Sequence, residues 1–375
     1  MRNNFLIAVI LIWINISCSS PVGQKKGETG TNSYANGFRI EKFGNYTKLT
    51  VLNPWERADN IVFEYFLFNE KTNIPGFADG KNIIRTPVRR VICLSTTHLA
   101  YLDALNESGS VVGISGGRYI NNPDIRKRFE TGYIHDVGYG QNLNYELLVS
   151  QQPDLVIVYG IGSEITAYVH KLKELGVPVI IVAEYLEESP LGKAEWIKFL
   201  GSLFEKEDLA GDLFLHIEEE YLKLKEQTAN TAGKPKVLVG SSYNGSWWVP
   251  GGNSYVANII ADAGGHYLGK DNSSRESYVI SFENALVWGN EADVWINMGN
   301  MSSKEEIVAS DERLSSFRVL QEGRVFNNIN KLSPHGGNDF WESGTVNPHL
   351  VLQDLILVLH PELLDGEMTY YKEIR

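Results

Sequence analysis

Twice along this 375-residue chain, short and uniformly apolar runs alternate with amphipathic helical stretches, and once, from about Ser189 to Asn230, the apolar runs stop. A strand without polar alternation has no face to give to water. Such runs belong in a sheet covered on both sides, the arrangement of parallel α/β layers. The first series has strands in RRVICLS, SVVGIS, PDLVIVYG and VPVIIVAE, with helices in TTHLAYLDALN, NPDIRKRFE, NYELLVSQ and SEITAYVHKLKELG between them. The second has strands in KPKVLVGSS, ADVWINMG and RVFNNI. Its helices lie in NSYVANIIADAGG, SFENALVWG, ERLSSFRVLQEG and the closing NPHLVLQDLILVLHPEL. The strand-free middle, AEWIKFLGSLF and EDLAGDLFLHIEEEYLKLKEQTAN, places Leu209, Leu213, Ile217, Tyr221 and Leu224 near one stripe opposite a charged face. A helix of that length between two α/β halves reads as a spacer; the plain alternative is a surface helix of one domain. The expected fold is therefore α/β, with two lobes, each a mostly parallel sheet flanked by helices, joined by one long backbone helix.

The ends add constraints. Arg2 and the apolar run Phe5–Ile14 suit an export signal, being too short to span a bilayer as a mature helix. The following Ile16-Ser17-Cys18 resembles the lipobox of bacterial lipoproteins, with Asn15 in place of the usual apolar residue; an ordinary secretory peptide is the alternative. Cys18 would then carry lipid. Cys93, the remaining cysteine of two, has no intrachain partner, so the fold must rest on its core. SSPVGQKKGETGTNSYANG reads as a flexible tether. The expected division is 1–17 signal peptide, 18–36 tether, 37–188 first lobe with a β-rich extension over 37–85, 189–230 linking helices and 231–375 second lobe. A net charge of −12 argues against nucleic acid as a partner and permits acidic knobs to dock on a basic one.

The two halves also repeat a sentence. NYELLVSQQPDLVIVYG (144–160) and SFENALVWGNEADVWINMG (281–299) each place a glutamate at the head of a short helix, then an aspartate, then an apolar strand ending in glycine. With LKELGVPVIIV, PGGNSYVANIIADAGG and VNPHLVLQDLILVLHPEL, these segments make residues 88–365 resemble the periplasmic binding proteins of ABC importers for cobalamin, haem and ferric siderophores. The segment before residue 85 lies outside the resemblance. The resemblance implies that Glu146 and Glu283 dock into arginine pockets on a permease dimer that works with its ATPase. Bidentate carboxylate–guanidinium pairs fix orientation as well as adding attraction. The plain alternative is a solvated acid favoured by a helix N-terminus. Asp154 and Asp293 read as strand-start residues. The resemblance also implies small lobe motion on ligand capture and a monomer.

A ligand held between lobes is contacted by loops at the carboxyl ends of the strands. In the first lobe those loops carry Ser95, Thr96, Thr97 and His98, then Arg118 and Tyr119, then Tyr133, His135 and Tyr139, then Tyr159. In the second they carry Tyr243, Trp247 and Trp248, then NMGNM, then His335 and Trp341. Aromatic rings among glycines suit a macrocycle or catecholate complex, and an arginine suits an anionic chelate or a propionate. Several of these rings could instead be packing residues, and WWVP could be a strand end.

His98, His135 and His335 raise an alternative, a site for bare zinc or manganese. A second alternative is a surface-anchored glycan-binding or adhesion module, in which the paired glutamates would have no role. The chain lacks Gly-x-Ser-x-Gly, a P-loop, His-Glu-x-x-His and a dinucleotide glycine motif, so catalysis is not expected. The expectation is a lipid-anchored solute-binding protein for a cobalt or iron chelate: cobalamin or a corrinoid first, ferric siderophore next, haem third.

Overall fold

A computed structural model describes residues 28–30, 32–243 and 245–375; Cys18, the signal segment and most of the tether lie outside them. The β-rich extension forms a five-stranded sheet of β1 (Glu28–Gly30), β2 (Phe38–Phe43), β3 (Tyr46–Leu52), β4 (Val62–Asn69) and β5 (Asn82–Thr86) in sequential order. β2 and β3 are a hairpin closed by Gly44-Asn45, since Phe43 and Tyr46 are register partners. β4 and β5 run parallel.

The first lobe follows: β6 (Val91–Cys93), α1 (Thr96–Ala104), β7 (Val111–Ile114), α2 (Pro123–Glu130), β8 (His135–Asp136), α3 (Tyr145–Ser150), β9 (Leu155–Val158), α4 (Ile165–Glu174) and β10 (Val179–Ile181). Its sheet is parallel throughout, in the order β10-β9-β6-β7-β8. Every residue of β6, β7, β9 and β10 is buried, as strands without a wet face require.

Then come α5 (Pro190–Gly201) and α6 (Glu207–Thr228), the latter 22 residues long. The buried stripe of α6 is Ala210, Phe214, Ile217 and Tyr221, rotated by about one position from the stripe read in the sequence. Leu213 and Leu224 are flanking, partly buried contacts. The reason is the partner: α6 packs on both α5 and α11, so its contact face is broader than a leucine count implies.

The second lobe contains β11 (Lys236–Val239), β12 (Ser242–Tyr243), β13 (Ser246–Val249), α7 (Tyr255–Asp262), β14 (His266–Tyr267), β15 (Tyr278–Ile280) and α8 (Phe282–Glu291). It continues through β16 (Val294–Ile296), α9 (Lys304–Ser310), α10 (Arg318–Gln321), β17 (Arg324–Asn327), α11 (Pro348–Leu359) and β18 (Lys372–Glu373). Its main sheet, β14-β11-β16-β17-β18, is parallel except for the antiparallel edge β18. A separate antiparallel sheet, β12-β13-β15, was not anticipated. ERLSSFRVLQEG is a 3-10 turn followed by a four-residue helix rather than one helix.

One continuous apolar core runs through both lobes and the extension, joining Phe38 and Val91 to Phe214, Val294 and Leu355, with a smaller satellite core on the outer side of each lobe. The extension is also held by two buried carboxylates. Glu195 accepts the amides of Ser33, Tyr34 and Ala35 at 2.8–2.9 Å, and Glu187 accepts those of Asn36 and Gly37 and the Trp196 indole at 2.8–3.1 Å. Burial pushes Glu195 upward, but Lys198 at 2.8 Å and the three amides outweigh it and leave the carboxyl below its ordinary value. At Glu187 burial wins and raises it.

Candidate functional site: an aromatic cleft and two matched helix heads

In the first lobe the carboxyl ends of β6, β7, β8 and β9 open onto two adjoining hollows of about 650 and 970 Å3, which share Leu94, Ser115, Gly138, Tyr139 and Tyr159. The first extends under Glu164 and Tyr168, the second toward Arg118, Tyr119 and Asp136. Asp136 shapes the wall between them. Its carboxylate accepts the amides of Gly116, Gly117 and Gly138 at 2.9–3.3 Å, drawing the loops after β7 and β8 together. Gly138 sits at φ +81°, and a Cβ there would collide with the Asn142 carbonyl. Asp136, Ser115 and Tyr168 escaped the sequence reading; an aspartate two residues before a glycine was the available signal.

Tyr139 is 62 % exposed at the mouth, while Tyr159 is half-buried behind it. Burial first, then the neighbouring Tyr139 hydroxyl, pushes the Tyr159 phenol well up, so it stays neutral. Arg118 is exposed and lies over the Tyr119 ring, 4.5 Å from its centroid, as well as bonding the Tyr119 hydroxyl. The pair presents a cation and a ring edge as one unit.

Beneath Tyr159 the floor is polar. His98 is fully buried with both ring nitrogens unpartnered, edge-on to Tyr159 at 6.2 Å. Thr97 donates to Glu184 Oε1 at 2.9 Å, and Glu184 Oε2 is buried without a partner. Lys193 is buried nearby. Burial lowers both His98 and Lys193 from their ordinary values, favouring the neutral forms. His98 is therefore part of the floor rather than a wall residue: α1 is buried from His98 through Leu102, so its third residue cannot face water.

Other expected contacts fall elsewhere. Tyr133 precedes β8 and so stands at the amino end of the sheet, away from the hollows, 72 % exposed. His135 is within β8, and His335 is exposed in the turn at Gly336. Among the described residues no group of three or more His, Cys, Asp or Glu is placed to hold a metal ion, so His98, His135 and His335 are not brought together. Trp247 is a core residue, stacked on Trp295 at 5.8 Å and on Phe317 at 5.7 Å. Strand alternation then turns Trp248 outward, 49 % exposed. Tyr243 lies in β12, paired with Ser246. Trp341 is 50 % exposed and packs edge-on against Phe340.

The repeated segments fold alike. Asn144 caps α3 by accepting the Leu147 amide at 2.9 Å, and Ser281 caps α8 by accepting the Asn284 amide at 3.2 Å. An aromatic residue follows at the first helical position, Tyr145 or Phe282, and then the glutamate, Glu146 or Glu283, exposed in both lobes. Hydrogen bonds from its own amide and from Ser281 lower Glu283 below the ordinary carboxylate range. The aspartates do other work. Asp154 accepts the amides of Arg89 and Arg90 at 2.9 Å, and Asp293 accepts that of Lys236 at 2.9 Å, each tying the start of its strand to the lead-in of the neighbouring first strand.

Two α/β lobes, a long connecting helix and a cleft lined by loops at the strand ends define a solute-binding protein of the two-lobed, backbone-helix type. The chain belongs to the periplasmic binding protein family, whose model matches residues 91–328. It is 29 % identical to an uncharacterized lipoprotein of Methanocaldococcus jannaschii, over 99 % of this chain and 96 % of the relative. Its fold is similar to that of a periplasmic heme binding protein from Pseudomonas aeruginosa, with a TM-score of 0.60 and 16 % identity, over 77 % of this chain and 98 % of the other. It is also similar to a periplasmic vitamin B12 binding protein of Vibrio cholerae, with a TM-score of 0.53 and 16 % identity, over 72 % and 96 %. Among the described residues no helix is long and apolar enough to cross a membrane.

Proposed function

We propose that this chain is the solute-binding component of an ABC importer, capturing a metal chelate in the aromatic cleft and delivering it to a permease dimer served by an ATPase. The observation that carries the reading is the duplicated helix head: a side-chain cap, then an aromatic residue, then an exposed glutamate, in the same order in each lobe. Two separated carboxylates of that kind register both lobes on a partner bearing matched guanidinium groups, and bidentate pairing sets orientation. Glu146 and Glu283 are the docking groups. Tyr119, Tyr139, Tyr159 and Arg118 meet the ligand from the first lobe, and Trp248 and Trp341 from the second. Cys18 carries the lipid that tethers the protein to the cell envelope, in keeping with the relative named as a lipoprotein.

The cleft offers rings and phenols with a single arginine, which suits a large, flat, partly apolar chelate such as a corrinoid, a ferric siderophore or haem. Corrinoid leads because Asp136 lines the same hollow as that arginine and Glu164 lines the adjoining one, a poor match for a strongly anionic ligand. Titration of the purified protein with cyanocobalamin, ferric chelates and haemin, followed by tryptophan quenching, tests this. A saturable response to one of them is expected. No response to any would sink the chelate reading and favour a bare ion or a glycan.

A further inference from the structure

Beyond the linking helices the lobes meet at a second place, beside the hollows. Residues 119–122 continue from the wall formed by Arg118 and Tyr119, and they lie against the second-lobe loop between β17 and α11. There Glu342, 3 % exposed, accepts the Asn121 amide on Oε2 at 2.8 Å and the Asn122 amide on Oε1 at 2.7 Å. The Asn121 side chain returns two bonds, to the carbonyls of Lys331 at 3.0 Å and Gly337 at 3.1 Å. Gly337 is packed so closely that a Cβ would collide with the Tyr119 carbonyl. One carboxylate of the second lobe thus grips two consecutive peptide groups of the first. Burying a carboxylate is costly, and apolar packing would close such a seam with less penalty.

We propose that Glu342 positions the two walls of the cleft: by holding Asn121 and Asn122 it sets where Arg118 and Tyr119 stand relative to Trp341, and its release lets the lobes part at this end. This rests on the reading of the cleft as the ligand site. The grip is adjustable by protonation. Asp103 from α1, Asp339 and Lys331 from the same loop and Arg126 from α2 surround it. Burial, with Asp339 and Asp103 adding to it, raises the Glu342 carboxyl to about 7. A carboxyl released to water titrates near its ordinary, lower value, so the seated form binds the proton more tightly. The grip is therefore firmest below that ordinary value and weakens as pH rises through about 7.

Hydrogen exchange of the full chain tests this without needing the ligand. In Glu342→Ala the amides of Asn121 and Asn122 should exchange about tenfold faster or more, with β9 unchanged. Glu342→Asp should restore part of the protection. In the wild type, protection corrected for intrinsic rates should fall from about pH 5 to about pH 7 and level off above that, a change that Glu342→Gln removes. With cyanocobalamin and haemin as probes, whichever binds should leave the Ala variant about fivefold faster or more. Unchanged exchange at Asn121 and Asn122 overturns the proposal, and so does a loss of protection spread equally over β6 and β9. If neither these probes nor a ferric chelate binds the wild type, the chelate reading fails, and the exchange result alone decides the role of Glu342.

Discussion

The two lobes share a plan and spend their aromatic residues differently. In the first lobe, Tyr119, Tyr139 and Tyr159 stand at the strand ends around open hollows. In the second, Trp247 stacks on Trp295 and on Phe317, which meet each other at a tilt, and the three fill a satellite core. The helix heads carrying Glu146 and Glu283, by contrast, match cap for cap. On the proposed docking role, the matched heads would meet a two-fold partner symmetrically, and the differing aromatic faces would meet an asymmetric ligand.

That contrast can be broken. The largest expected effect is on the symmetric part: Glu146→Arg with Glu283→Arg should reduce uptake about a hundredfold or more while ligand affinity in solution stays the same. Each single change should cost a similar amount. Uptake that survives the double change, or depends on one lobe alone, would remove the symmetric docking role.

Next comes the divergent part. Trp247→Ala should cost about 3–5 kcal/mol in denaturant unfolding, as a large core truncation does. Its neighbour Trp248→Ala should stay within about 0.5 kcal/mol yet weaken ligand binding. Equal destabilisation by both would contradict the inward and outward assignment. A smaller pair sharpens the caps: Asn144→Ala and Ser281→Ala should each cost about 1 kcal/mol, the same in both lobes.

The smallest expected effect concerns one histidine in each lobe, His98 fully buried and His349 half-buried. Burial lowers His98, and burial followed by His216 brings His349 down to about 4. The unfolded chain therefore takes up these protons first. Stability supplied by the neutral rings is present above the ordinary histidine value and is lost as pH falls from there toward about 4. His349→Leu should flatten the thermal midpoint across that window by about 1–2 °C. His98→Leu, which removes two unpartnered buried nitrogens, should leave the neutral-pH midpoint equal or higher. A lower midpoint would mean that His98 has a partner, such as a bound water.

How much of this was legible depends on where each residue's partner sits in the chain. The parallel sheets were legible because β6, β9 and β11 are apolar without alternation, and the helix heads because the same local pattern occurs twice. Trp247 and Trp248 show the limit. Period two says that one points in and the other out, but the choice is made by Trp295 and Phe317, dozens of residues away. Tyr133 was misplaced by counting it into a loop that in fact begins after β8. Asp136, Glu187, Glu195 and Glu342 were invisible as anchors because what they hold is backbone amide, which leaves no mark on side-chain identity. Three hundred residues of sequence can carry strong periodicity and still conceal such pairs.

The capture of Ser33–Gly37 by Glu187 and Glu195 has a mechanical consequence. A pull arriving from the amino terminus first shears β1 from β2, and then meets a knot tied to α5, the element between the two lobes. Load is thus delivered near the fulcrum rather than to either arm. On the proposed lipid anchor, a leash fastened there would hold the body without prying the cleft open or squeezing it shut.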